Sequence, residues 1–304
     1  MRRPSARALW HPIDPSVCPI SPRPCLIASI NADPMAILVA RNEFPPAAHG
    51  THAVRASTKV RILSGCAFSC FLRKTKALIR FRRKAKMHVI VLASQKGGAG
   101  KTTLAAHIAV AAEVAGDGPV VLIDADPQGS LSAWWNAREA QVPALAPTTI
   151  AELPAKLAAL AEAGYALAIV DTPPAITEAI SAVVRSADFV LIPTRPSPHD
   201  LRAVGRTVEL VQGAGKPFVF AVTQAKPNAR LTVQAVAALS EHGVVAPAIV
   251  HDRVDYAGSM IDGRTVQETD QKGRSAAEMA ELWKFVKAQM AKSTKARKEG
   301  EGAR

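Results

Sequence analysis

Beyond residue 86 the chain has no cysteine, because Cys18, Cys25, Cys66 and Cys70 all precede that point. The absence removes a disulfide framework, a cysteine-ligated metal and thiol chemistry from the larger part of the protein, and it suits a reducing compartment. Aromatic residues make up 5% of the chain, with Tyr165 and Tyr256 as its two tyrosines. No apolar run reaches the roughly 20 residues that cross a bilayer, so a soluble protein is expected. Acidic residues are scarce in one segment alone. Residues 1 to 86 carry 16 Lys or Arg against Asp14, Asp33 and Glu43, whereas residues 87 to 304 carry 22 of each sign. The formal charge of +13 therefore belongs entirely to the first segment.

That first segment reads poorly as a domain. It holds nine prolines, several in close succession in "HPIDPSVCPISPRP", and shows no sustained period of 2 or 3.6. The stretch "FLRKTKALIRFRRKAK" before Met87 has the composition of a basic helix. Two readings stand for it: an Arg-rich, acid-poor nucleic-acid arm or targeting peptide, or a stretch outside the folded unit, translated because the start was assigned too early. The second is favoured, since Met87 runs directly into a natural first strand. Residues 1 to 86 are therefore expected to be a low-complexity, basic and disordered extension.

From residue 87 the pattern becomes regular. The β-branched runs "HVIVLAS" (88 to 94), "VVLIDAD" (120 to 126), "ALAIVDT" (166 to 172), "FVLIPT" (189 to 194) and "FVFAVTQ" (218 to 224) alternate with alanine-rich stretches. Nearly continuous apolar strands alternating with helices predict an α/β fold, a mostly parallel twisted sheet covered on both faces. Helices are expected over 101 to 115, 128 to 140, 150 to 163, 175 to 186, 200 to 213, 230 to 242 and 274 to 291. The domain then spans 87 to 291, with a basic flexible tail at 292 to 304.

The strand at 88 to 94 leads into "ASQKGGAGKTT" and from there into a helix beginning near Lys101, which is the context of a phosphate-binding loop. The general pattern wants a glycine where Gln95 stands. Gly97, Gly98 and Gly100, with Ala99 among them, let backbone amides turn toward phosphate oxygens at a helix N-terminus. Lys101 is placed to pair the β and γ phosphates and Thr102 to bind Mg²⁺. Three carboxylates stand at strand ends: Asp124 and Asp126 in "LIDADPQGS", and Asp171 in "AIVDTPP". Ligands of open α/β sheets gather at those ends. There an aspartate reaches Mg²⁺ through water, holds an attacking water, or merely caps the following loop.

"KGGAGKTT" resembles the deviant Walker A motif of the ParA/MinD group of P-loop ATPases. "DADPQGS" resembles its switch I motif, and "IVDTPP" its Walker B. The likeness covers essentially all of 87 to 304, and "PTRPSPHDL" with "AAEMAELWKFV" is similar to the short, ParF-type branch. The resemblance implies an ATP- and Mg²⁺-dependent ATPase, weak until a partner stimulates it. It makes Lys96 the signature lysine that crosses an ATP-sandwiched homodimer to the other subunit's phosphates, where it offsets the repulsion of two facing triphosphates. Asp126 is implied to position the hydrolytic water, Asp124 and Asp171 to support loop and metal, and Thr103 to bond the α phosphate. Gln224 stands where the family often has a base-contacting Asn, with simple exposure at the strand end as the alternative. Pro196 to Asp200 matches a loop used for higher-order self-association, or is a plain nucleotide-site loop.

The resemblance also implies non-specific DNA binding in a cytoplasmic, nucleoid-associated setting. A small ParB- or ParG-like centromere-binding or cargo adaptor protein is the implied partner. DNA contact needs local cationic surface, and candidates are Arg253, Arg264, Arg274, Lys284 and Lys287, followed by Lys292, Lys295, Arg297 and Lys298. A solvated helix face explains the same lysines. Met279, Leu282, Trp283, Phe285, Val286 and Met290 form an apolar stripe that packs on the sheet or, as in MinD relatives, lies on an anionic membrane. Core packing is the favoured reading, and a membrane partner is not expected. Iron-sulfur and tyrosine-kinase members of the group are set aside, since no cluster cysteine or tyrosine-rich tail is present.

Overall fold

The computed structural model describes residues 9–12, 26–29, 37–40, 86–175 and 177–302. The chain divides into two units, Met1–Arg80 and Phe81–Arg304. In the first, β1 (Leu9–Pro12), β2 (Leu26–Ser29) and β3 (Ile37–Ala40) pair antiparallel in that order. Each has four residues, too few for a hydrophobic period to show in the sequence. The basic stretch at 71 to 85 lies outside the described residues.

The second unit is built on six parallel strands: β4 (His88–Leu92), β5 (Val120–Asp124), β6 (Ala144–Leu145), β7 (Leu167–Asp171), β8 (Phe189–Thr194) and β9 (Phe218–Val222). Their order across the sheet is β6-β5-β7-β4-β8-β9, every neighbouring pair parallel. Parallel strands need crossovers, and five helices supply them: α1 (Lys101–Val114), α2 (Ser130–Asn136), α3 (Leu153–Glu162), α4 (Glu178–Arg185) and α5 (Pro198–Gly213), while α6 (Arg230–Ser240) follows β9. After β9 come α7 (Val254–Met260), α8 (Val266–Thr269) and α9 (Arg274–Gly302).

Because successive strand residues face opposite sides, the sheet separates two cores. Ile90, Leu92, Leu122, Ile169, Leu191 and Val219 pack with α1, α2 and the three C-terminal helices. Val89, Val91, Val121, Ile123, Val170, Ile192 and Phe220 pack with α3 to α6 on the other side. Burial of both faces explains why these strands read as unbroken apolar runs rather than as alternating ones.

The chain departs from its sequence-based expectation at three places. α7 and α8 were not foreseen, since they are short; the N-terminus of α8 is closed by a capping box between Thr265 and Glu268. The two-residue β6 is too short to be legible. The helix expected to end at 291 runs to Gly302, so the tail from 292 is helical backbone. Its Ala, Lys, Arg and Glu content favours helix, and Lys295 and Glu299 face each other one turn apart at 3.8 Å.

The apolar stripe of α9 belongs to the core. Met279, Leu282, Trp283, Val286 and Met290 are buried, with Phe285 half-buried, and the Trp283 indole donates to Asp117 at 2.9 Å. α1 is buried along most of its length, and that includes a histidine. His107 is fully buried, with Nδ1 2.8 Å from the Thr103 carbonyl oxygen and its ring edge against Tyr256 of α7 at 5.3 Å between centroids. Burial lowers its pKa to about 4, against weaker upward pulls from the Thr103 carbonyl and Glu268.

A base whose pKa falls on folding is protonated more readily in the unfolded chain. Its neutral form stabilises the fold fully above about pH 6.5, and that contribution is lost as pH falls toward 4. In urea titrations, His107→Phe is therefore expected to gain on the wild type as pH drops from 7 to 4, by up to about 3 kcal/mol. A difference between the two proteins that does not change with pH would contradict this account of His107.

Candidate functional site

The loop between β4 and α1 turns on glycine. Gly98 and Gly100 have φ of 74° and 87°, a region where a side chain is strained, and Gly100 is the residue from which α1 starts. Two neighbouring strand-end residues hold the loop from outside. Thr223 donates its hydroxyl to the Ala99 carbonyl at 2.9 Å, and Gln224 donates its amide to the Gly98 carbonyl at 2.8 Å. With those two carbonyls drawn outward to the end of β9, the loop's amides are left free to face an anion. Gln224 is therefore engaged with the loop while remaining exposed at the strand end, and it adopts a left-handed φ of 52° in that position. Thr223 was missed by sequence reasoning, although its place beside Gln224 at the end of an apolar strand was the available signal.

Lys101 is buried and reaches back across the loop to the Ser94 carbonyl at 3.3 Å. Burial lowers its pKa, while Asp171 and Asp126 pull the other way. Thr102, the next residue of α1, donates its hydroxyl to Asp171 Oδ2 at 2.6 Å. Asp171 is fully buried at the end of β7, and its other oxygen, Oδ1, has no hydrogen-bond partner among the described residues. Burial pushes its pKa up to about 7, opposed by the Thr102 hydrogen bond and reinforced by Asp124.

A buried carboxylate oxygen without a donor is costly, and beside a phosphate loop it fits a metal or a metal-bound water. Thr102 and Asp171 are thus the residues of this chain that suit Mg²⁺, both hard oxygen donors. Asp124 differs. Its two oxygens accept the backbone amides of Asp126 and Ser132, at 3.2 and 2.8 Å, so it performs the loop-capping alternative and anchors the start of α2. Asp126 is half-buried and accepts the Gln128 amide at 2.9 Å through Oδ1 alone. Thr103 is half-buried one residue further along α1.

Lys96, at the crest of the loop, is exposed, and its ammonium has no partner among the described residues. Among the described residues, three of the cationic candidates are paired with carboxylates. Arg253 is tied to Glu278 at 2.8 Å, in a cluster with His251 and Tyr256. Arg264 pairs with Asp262, and Lys287 with Asp117. Arg274, Lys284 and Lys292 are exposed. The side chains of Arg297 and Lys298 lie outside the described residues.

This geometry, a glycine loop at a helix start with Thr and Asp meeting beneath it, has a match in known proteins. The family model for the CobQ/CobB/MinD/ParA nucleotide binding domain matches residues 90–266. The chain belongs to this family. Among its relatives is "Maintenance of carboxysome distribution protein A" of Halothiobacillus neapolitanus, 34% identical over 204 residues, covering 64% of this chain and 93% of that protein. The protein of the same name from Gloeobacter kilaueensis is 37% identical over 204 residues, covering 62% of this chain and 92% of that protein. The fold is similar to that of a Cyanothece McdA variant in complex with ATP, with a TM-score of 0.57 at 20% identity over 68% of this chain and 97% of that one. The MinD/ParA family match agrees with the likeness read from the motifs, and it makes nucleotide the ligand class of the loop.

Lys101→Ala is expected to abolish nucleotide binding, and affinity near wild type in a fluorescent-nucleotide titration would contradict the phosphate-loop geometry. Asp171→Asn replaces a buried charge by a neutral group of the same shape. The nucleotide-free variant should melt at or above the wild-type temperature while its Mg²⁺-dependent nucleotide affinity falls tenfold or more, about 1.4 kcal/mol or above. A lower melting temperature with unchanged affinity would reverse the assignment.

Proposed function

We propose that the protein is an ATP-driven dimerising switch of the ParA type. It binds DNA without sequence preference and positions a cargo, which could be a plasmid, a chromosome region or a protein assembly. The observation that carries this reading is Lys96. It is an exposed cation, unpartnered among the described residues, at the crest of a phosphate loop whose own lysine, Lys101, is already buried inside. A loop that binds nucleotide for its own protomer has no need of a second, exposed lysine. Two triphosphates facing each other across an interface do need one, because their repulsion is strong where water is excluded.

The chain's own residues divide the work. Loop amides from 97 to 101 and the Lys101 ammonium hold and orient the phosphates. The Thr102 hydroxyl and Asp171 carboxylate would hold Mg²⁺, which would supply positive charge against the phosphates. Asp126, with one carboxylate oxygen uncommitted, orients the attacking water, and Asp124 keeps its loop in place. Hydrolysis removes the charge that Lys96 offsets and so weakens the dimer. A small centromere-binding or cargo adaptor protein then sets the rate. The carboxysome-distribution relatives support a protein cargo as readily as DNA cargo.

Arg274, Lys284 and Lys292 are the exposed cations that best serve a DNA surface, joined in the dimer by their symmetry copies. The membrane alternative loses its support, because the stripe it requires on α9 is buried among the protein's own helices.

Lys96→Ala is expected to keep nucleotide affinity and to remain monomeric with Mg²⁺ and a non-hydrolysable ATP analogue in light scattering. A variant that still dimerises would remove the basis of the switch. DNA retention by the wild type should require ATP and fall by several powers of ten between about 50 and 200 mM salt. Equal retention with ADP, or co-sedimentation with anionic vesicles instead of DNA, would favour a different function.

A further inference from the structure

The segment after β8 meets the phosphate loop at two side chains: the Thr207 hydroxyl accepts the Gln95 amide at 3.3 Å, and Arg195 lies near Gly98. A methyl group placed on Gly98 would lie 3.6 Å from Nη1 of Arg195. The other edge of that guanidinium is spent: Nε and Nη2 donate to the two carboxylate oxygens of Asp200, at 3.0 and 3.2 Å. Nη1 has no partner among the described residues.

The clamp is built into the fold. Asp200 is 2% exposed and Arg195 31% exposed, so the carboxylate lies behind and the cation in front. Ser197 donates its hydroxyl to Asp200 and caps α5 by accepting the Asp200 amide at 3.2 Å. Prolines at 196 and 198 stiffen the turn on either side of Ser197. A cavity of about 10 Å³ separates Asp200 from Ser94 and Lys96, and the Thr194 hydroxyl buried on its wall has no partner among the described residues. The clamp therefore stands directly behind the loop segment that carries Lys96.

Charge explains what such a clamp is for. Asp124, Asp126 and Asp171 stand at the ends of neighbouring strands, and Lys101 is the buried lysine of the loop. A nucleoside triphosphate adds more negative charge than Mg²⁺ removes, and the last phosphate is the one that makes the difference between ATP and ADP. A half-buried guanidinium with one edge locked and one edge free is pre-organised for an anion, so little ordering is lost on contact.

We propose that Arg195, clamped by Asp200, is a further nucleotide-binding residue of this site, with its free Nη1 edge directed at the terminal phosphate of ATP. The inference rests on the nucleotide-switch reading and adds to it a residue that distinguishes the triphosphate from the diphosphate. It also gives the loop from Pro196 to Asp200 a role within the nucleotide site.

The test uses the full chain with Mg²⁺, ADP and a non-hydrolysable ATP analogue, comparing wild type with Arg195→Gln, Arg195→Lys and Asp200→Asn in competition titrations. Arg195→Gln should weaken the ATP analogue tenfold or more while ADP affinity changes less than threefold, and retained ADP affinity reports that the variant is folded. Arg195→Lys keeps the charge but cannot engage both Asp200 oxygens and a phosphate together, so it should fall between the two. Asp200→Asn should also lower ATP affinity selectively, because the guanidinium is no longer held. Unchanged affinities in the Arg195 variants, or equal losses for ADP and the ATP analogue, would overturn the proposal while leaving the nucleotide switch intact. A wild type that binds neither nucleotide would overturn both.

Discussion

The hydrogen bond from Thr102 to Asp171, at 2.6 Å, joins the first turn of α1 to the end of β7 and sets the geometry of the whole site. Neither residue is comfortable alone. Asp171 is a carboxylate enclosed by the sheet, and burial drives its pKa upward. Thr102 belongs to a helix that starts at a left-handed glycine, without a capping side chain. Together they join the helix start to the strand end, and they leave one carboxylate oxygen without a partner among the described residues. The fold tolerates this unsatisfied atom because the surrounding parallel sheet is held by apolar cores on both faces.

Around that point the loop is held by partners on three strands rather than by its own sequence. Lys101 is drawn inward by the Ser94 carbonyl, Ala99 and Gly98 are held by the end of β9, and Arg195 closes in from the end of β8. In an all-parallel sheet every strand delivers its C-terminal end to the same edge, so residues more than a hundred positions apart in the chain meet there. Lys96 stands outside this set of contacts. Its freedom is consistent with a role toward a second molecule, since Lys101 and Arg195, the other cations of the loop region, are already engaged within the protomer.

The C-terminal third of the domain shows how a polar network can support such an edge from a distance. Glu278 of α9 accepts hydrogen bonds from His251, Arg253 and Tyr256. Asp117, after α1, receives Trp283 and Lys287. The Asp117 contacts bind α9 to the end of the helix that begins at the phosphate loop, and the Glu278 contacts bind it to α7 and the segment before it. They also explain why charge read from sequence overstated the free cationic surface: Arg253, Arg264 and Lys287 each spend their charge on a carboxylate nearby.

Much of the fold was legible before any coordinates, because strands buried on both faces must be apolar throughout and a glycine loop between strand and helix has few other uses. The positions of Lys101, Thr102 and Asp171 were legible for the same reason, each standing at a strand end or helix start that its neighbours announce. What the sequence could not show is which polar side chains meet across the sheet edge. Gln224 on Gly98, Thr223 on Ala99, Asp124 turned to the start of α2 and Arg195 clamped by Asp200 all depend on strand order, and strand order is decided by packing rather than by any local pattern. The sequence by itself determined that a phosphate loop exists and where its helix begins. Tertiary structure alone decided which charges remain free beside it, since pairing between distant residues is a property of the assembled sheet.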